Sequence, residues 1–459
     1  MDSDALDGAL GATWRDDRPW SFLTQLTEIG DRLAGSPGEG RAAELVADHF
    51  ADAGARDVTT DTFEITTWER GDATLQLTAP VERIFETIAL PYSPGDAVSG
   101  PLVDVGYGTP GEIEGADLEG AIAVASTTTP PGRRFVHRME KFGLAHEAGA
   151  AAFVFVNHRD GQLPPTGSLR FDAEAEMPGV GVSAETGDWL REYARRAPNA
   201  ETPRRPGGRI GGGEATVTVE ASTGPGESRN VHGVLGPDAG PEVVVLGHHD
   251  AHDVAEGALD NGCGIAMVVT IARLLAAVED DLECRVRVAG VGSEELGLMG
   301  SAALADALDL ERVRAVVNVD GAGRERDLVA MTQASETAET VVESVADATV
   351  HPIHVDADPH PYSDHWPFLR EGIPALQLHS RAPDGGDRGR GWGHTQADTR
   401  DKVDPRTLRE HAMLGALLTG ELTGRDPDPI ESADLREAML ERDFEPGMRA
   451  ANLWPDEWD

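Results

Sequence analysis

Residues 243–300 gather imidazole and carboxylate side chains at spacings that suit a pair of metal ions. A run of β-branched and apolar residues at 243–246 breaks at Gly247 and delivers His248, His249 and Asp250, where a buried strand should end. Asp260 follows inside Leu259-Asp260-Asn261-Gly262. A second apolar run, residues 286–291, leads into Ser293-Glu294-Glu295, and a third, residues 315–319, ends in Asp320. Further along, Trp392-Gly393-His394-Thr395 offers another imidazole. Each residue alone has a plainer use: a histidine in a loop, glutamates at a helix start, an aspartate as a helix cap. Three successive strand ends carrying ligand-type side chains point instead to one site, because open α/β sheets place their sites at strand C-termini.

The set resembles the co-catalytic zinc aminopeptidases of clan MH, which also include glutamate carboxypeptidase-like members. The matching residues run in order: His248-x-Asp250, Asp260, Glu294-Glu295, Asp320 in Asn-Val-Asp-Gly, then His394-Thr395 followed by Asp398-Thr399. The resemblance implies two Zn2+ per chain, with other divalent ions such as Co2+ as substitutes. Asp260 would bridge the pair, with His248 and Asp320 on one ion and Glu295 and His394 on the other. Glu294 would be the general base and Asp250 the partner of His248. Where relatives often carry a Tyr before the last ligand histidine, this chain has Gly393, with Tyr362 and Trp392 as candidate substitutes.

Elementary chemistry agrees with these roles. Zinc takes imidazole nitrogen and carboxylate oxygen and keeps a position open for water. Two ions about 3.5–4 Å apart need one short carboxylate that binds both. A neighbouring carboxylate can then move a proton from the attacking water to the leaving amine. On extended backbone Glu294 and Glu295 would point opposite ways, while His248 and Asp250 would share a side, which suits Asp250 for fixing the imidazole tautomer. His249 and His252 crowd the same loop, but His248 directly follows the strand and stands two before an aspartate. The segment Tyr362-Ser363-Asp364-His365 resembles a piece near the family's substrate pocket and equally reads as a helix cap.

The elements that must position these residues alternate between strand and helix, so the expected fold is α/β. Its main part is a three-layer αβα zinc exopeptidase domain with a mostly parallel mixed sheet. Residues 1–77 begin that domain and residues 206–424 complete it. Between them, residues 78–205 resemble an inserted, β-rich protease-associated domain, through Leu118-Glu119-Gly120-Ala121-Ile122, the stretch 141–150, Phe153-Val154-Phe155-Val156-Asn157 and Met177-Pro178-Gly179. Pro203-Arg204-Arg205-Pro206 and the glycines after it read as a return linker. The acidic tail 425–459 reads as one packed helix or an oligomer contact, which leaves a homo-oligomer open. Residues 264–278 are interrupted by Arg273 and read as a core helix rather than a membrane span.

Composition narrows the setting. Acidic residues outnumber basic ones 81 to 39, the formal charge is -42, and Lys141 and Lys402 are the only lysines. Such a surface repels nucleic acid and anionic membranes, so neither is an expected partner, while the family resemblance implies peptide substrates. At molar salt the Debye length falls to about 3 Å and the self-repulsion is screened, so the chain reads as adapted to high salt. The N-terminal residues show no positively charged stretch followed by an apolar one, which makes a cytoplasmic location the expectation. Two cysteines, Cys263 and Cys284, are too few for a disulfide framework.

The leading expectation is an aminopeptidase, since an acidic site attracts a free amino terminus. A glutamate-carboxypeptidase-like activity is the alternative, with Arg370, Arg381, Arg388, Arg390 and Arg400 available for a terminal carboxylate. A non-catalytic, transferrin-receptor-like binding protein would be expected to lack ligands that are present here.

Overall fold

The computed structural model describes residues 3–195, 212–382 and 391–459. Most of the proposed return linker, and Arg388 and Arg390, lie outside the described residues. The chain divides into two compact units, one comprising Met1–Ile65, Gly226–Gly393 and Ala397–Glu441, the other Thr66–Pro225, His394–Gln396 and Arg442–Asp459.

The first unit is α/β with a mostly parallel mixed sheet. Its centre is the strand Glu242–His248, buried along its whole length, with Arg285–Val291 parallel on one side and Val313–Val319 parallel on the other. Ala375–Arg381 continues the parallel ladder beyond Val313–Val319, and Asp327–Met331 pairs antiparallel with it. A strand buried on both faces must be apolar throughout, which is why Val243, Val244, Val245 and Leu246 run without a polar interruption. Register decides where the strands stop. His248 lies opposite Val291 and Leu246 opposite Asn318, so all three strands finish at one edge.

Helix Cys263–Ala276 packs against Pro405–Thr423, Pro37–Ala53 and Arg18–Thr27. Among the described residues the segment Ala258–Ala276 alone is long and apolar enough to cross a membrane, and 94% of its most apolar stretch is buried inside the protein, where it serves as a core helix. Pro37–Ala53 starts at Ser36, whose hydroxyl accepts from the amide of Glu39, and stops at Gly54, whose φ of 103° disfavours any side chain.

The second unit has its own parallel ladder, Asp96–Asp104, Ile122–Ser126, Ala152–Val156 and Gly179–Val182. Phe142, Phe153 and Phe155 fill its core. Helices Arg138–Glu147 and Ala184–Arg195 accompany the strands. The acidic tail is not one helix. It forms Ser432–Glu441 in the first unit and Glu445–Ala450 in the second, burying Leu435, Met439, Met448 and Trp458.

Candidate metal centre

The shared strand edge of the first unit collects most of the expected residues. His248, Asp260 and Asp320 present ligand atoms that all lie within 4.8 Å of one another. His248 is fully buried, and its Nε2 has no hydrogen-bond partner among the described residues; that atom lies 3.6 Å from Asp260 Oδ1 and 4.0 Å from Glu294 Oε2. Zinc bonds of about 2.0–2.2 Å bring neighbouring ligand atoms to within roughly 3–4 Å, so this donor set fits a zinc-type ion. Asp260 is delivered by the turn Ala258–Gly262, where its φ of -130° and ψ of 90° depart from helix, and its peptide bond to Asn261 is cis.

Asp250 organises the neighbourhood. Its Oδ1 lies 3.3 Å from His248 Nδ1, and its carboxylate accepts from the amides of Glu294 and Glu295, both at 3.2 Å. A single carboxylate thus fixes the imidazole and both glutamates. The expected strand alternation does not separate Glu294 from Glu295, because the strand has already ended at Val291. Ser293 adopts a φ of 58°, and the glutamates lie in the turn that follows. From that turn Glu294 approaches His248, whereas Glu295 Oε2 sits 3.0 Å from His252 Nε2.

The crowded histidines sort themselves by position. His249 faces the opposite way from His248, with Nε2 3.8 Å from Glu39, and burial pushes it down to about pH 4, so it stays neutral. His252, weighed from the sequence only as a rival to His248, sits beside Glu295 instead. His394 is packed within the second unit, where Thr166 donates its amide to the His394 carbonyl at 2.9 Å and His394 Nδ1 lies 3.2 Å from the Thr166 carbonyl.

Asp320 is held from the far side. Ser363 donates its hydroxyl to Asp320 Oδ2 at 2.8 Å and itself accepts from Asn318 Nδ2 at 2.7 Å. The segment around Ser363 therefore serves the site, and the short helix Trp366–Leu369 begins only after it without a side-chain cap. Asp398 accepts from the amides of Leu259 at 2.6 Å and Asp260 at 3.1 Å, tying down the turn that carries Asp260. Two buried arginines complete the surroundings. Arg32 donates to the carbonyls of His249, Glu256 and Gly257, and Arg324 reaches Asp260 and Asp320. The reading of the sequence pointed to neither arginine, and the packed structure reveals their contacts. Asp398 stood within a matching motif, without an assigned task.

Burial is the main electrostatic influence here. It raises the Glu294 carboxyl well above its usual range, against the pull of His248. It raises Asp364 to about 7 and Asp398 to about 6. Burial opposes a charge on His248, yet Glu294, Asp250 and Asp260 outweigh it and hold that imidazole well above its ordinary value. Such opposed shifts among neighbouring groups are the pattern of acid–base sites.

The chain is similar to known proteins. Residues 230–419 match Peptidase family M28, and residues 98–190 match the PA domain. The aminopeptidase YwaD of Bacillus subtilis is 26% identical over 433 residues, spanning 89% of this chain and 85% of that protein. The solved structure of BSAP, a zinc aminopeptidase from Bacillus subtilis, is 25% identical with a TM-score of 0.69 and covers 90% of this chain and 98% of its own. A peptidase M28 precursor from Shewanella amazonensis, at 21% identity and a TM-score of 0.77 over 93% of this chain and 98% of its own, shares the fold.

Proposed function

Since residues 230–419 match Peptidase family M28 and residues 98–190 match the PA domain, we propose that the chain is a zinc-dependent aminopeptidase, releasing N-terminal residues from peptides. The observation that supports this most is the buried His248 Nε2, free of hydrogen bonds and set among Asp260, Asp320 and Glu294. In this reading His248, Asp320 and Asp260 would hold one ion, and Glu295 would help to hold a second, as the family resemblance implies. Zinc bound there would supply Lewis-acid activation of water and carbonyl at neutral pH. The protein's own part is proton transfer and orientation. Glu294, whose Oε2 lies 4.0 Å from His248 Nε2, accepts a proton from the attacking water and returns it to the departing amine. Asp250 keeps His248 in one tautomer and holds the amides of Glu294 and Glu295, so base and ligands keep a fixed spacing.

An aminopeptidase is favoured over a carboxypeptidase by the state of the described arginines near the last motif. Arg400 is taken up by Glu256 and Glu28, Arg381 by His354 and Arg370 by Glu371. The acidic cluster is left to attract an amino terminus. The charge of -42 supports high-salt adaptation. The test is hydrolysis of aminoacyl and N-blocked peptides across a KCl series, with metal content measured before and after chelation. We expect about two zinc ions per chain, cleavage of free-amine substrates only, loss of activity on chelation, and a thermal midpoint that rises with KCl. Cleavage of blocked peptides would move the assignment to carboxypeptidase, and a chain that takes up no metal would end the enzyme reading.

A further inference from the structure

One side chain in the first unit competes for the same carboxylates as an ion would. Arg324 is almost fully buried, with a side chain 9% exposed, and its Nη2 lies 3.0 Å from Asp260 Oδ1 and 3.5 Å from Asp320 Oδ1. Its Nε donates to the Leu259 carbonyl at 2.8 Å. Leu259 is held at both ends, because its amide goes to Asp398 at 2.6 Å. The guanidinium is therefore pinned in a planar fork against the turn that bears the proposed bridging carboxylate. Its reach to both aspartates is not explained by loop bracing, for which the Leu259 contact alone would serve.

We propose that Arg324 is an internal counter-cation that lowers the affinity of the Asp260–Asp320 pair for divalent metal. The inference rests on the metal-site reading above. A positive charge held 3.0–3.5 Å from two ligand carboxylates neutralises part of the charge an incoming ion would feel. It also adds direct repulsion toward the ion, and burial shields that repulsion from salt far better than at a surface. The residue has a second consequence. It stabilises two close carboxylates against each other, so the chain stays folded with the ion removed. Arg324 touches ligands rather than substrate, which makes it a positioning residue.

The experiment is ion competition against a chromogenic chelator in molar KCl, using the full-length wild type, Arg324→Gln and Arg324→Lys, with Zn2+ and Co2+ as probes. Thermal unfolding of chelated and reloaded protein accompanies it. Arg324→Gln should bind Zn2+ at least tenfold more tightly and should lose more thermal stability when chelated than when reloaded. Arg324→Lys keeps the charge and should remain within about threefold of wild type. Equal or weaker binding by Arg324→Gln overturns the counter-cation role, as does tightening by Arg324→Lys as large as that of Arg324→Gln. If Arg324→Gln does not fold, Arg324→Lys decides the question, since tenfold tighter binding by that variant would show that shape and not charge had mattered. Failure of the wild type to bind either metal overturns the metal centre and this inference with it, an outcome distinct from equal affinities.

Discussion

Two ladders of parallel strands in this chain obey the same packing rules and finish in opposite ways. In the second unit the strands Ile122–Ser126, Ala152–Val156 and Gly179–Val182 are each completed by a neutral polar residue that turns back on its own backbone. Ser126 accepts from the amide of Thr128 at 3.3 Å, Asn157 from Arg159 at 3.1 Å and Ser183 from Thr186 at 3.1 Å. In the first unit the corresponding ends are His248, Glu294-Glu295 and Asp320, and His248 Nε2 is left without a hydrogen bond. A strand end supplies a position, and chemistry follows only where its side chain is not consumed by local capping.

Buried charge shows the same contrast. Lys141 in the second unit is wholly buried, and its ammonium donates to the carbonyls of Ser126 at 3.0 Å and Thr128 at 2.6 Å. It is a closed arrangement that braces a loop. The first unit holds its carboxylates open toward one another, with Glu294 and Asp364 raised chiefly by burial. Burying several carboxylates side by side is a stability penalty that a cation relieves.

The most severe way to break the contrast is to remove the base. Glu294→Ala should lower kcat by roughly 10²–10⁴-fold while metal content, measured by atomic absorption, stays at the wild-type level. Retained activity would take Glu294 out of the mechanism.

Next in size come opposite pH slopes of stability. Burial lowers Lys141 to about 8 from 10.5, so the folded chain binds fewer protons than the unfolded one between those values. Stability should therefore rise with pH from 8 to 10.5, by about 3 kcal/mol at most, and Lys141→Met should lose that rise in urea melts. In the first unit Glu39 is raised from 4.5 to about 7, chiefly by burial and despite the Ser228 hydroxyl that donates to it. There the folded chain binds more protons, so stability should fall as pH rises from 4.5 to 7, and Glu39→Gln should flatten that fall.

A smaller effect separates holding a ligand from being one. Asp250→Asn should weaken Zn2+ binding by about 10–100-fold in chelator competition, because His248 and the turn of Glu294 and Glu295 lose their shared acceptor. Smallest of all, Ser363→Ala removes one hydroxyl from Asp320 and should raise KM or lower ion affinity by only a few-fold, with the fold unchanged by circular dichroism. An effect as large as that of Asp250→Asn would mean that Ser363 does more than steady Asp320.

Much of this was legible in the order of residues. Short apolar runs ending in His, Glu or Asp pointed to three buried strand ends, and six motifs in one order carried the resemblance to a family. Alternation along the chain was enough for the α/β class and for the helix Cys263–Ala276, whose apolar faces leave it no place but a core. Local periodicity could not reach further, because contacts distant in sequence are set by register and packing. That is why Glu294 and Glu295 diverge through a turn started at Ser293 rather than by strand alternation, and why His252 falls beside Glu295 while His249 turns toward Glu39. The same limit hid Arg324, whose distance from Asp260 in sequence gives no hint that its guanidinium lies 3.0 Å from that carboxylate. Sequence determined which side chains could bind metal and move protons; only the tertiary structure decided which of them face each other, since that depends on where three strands stop and how two loops close over their ends.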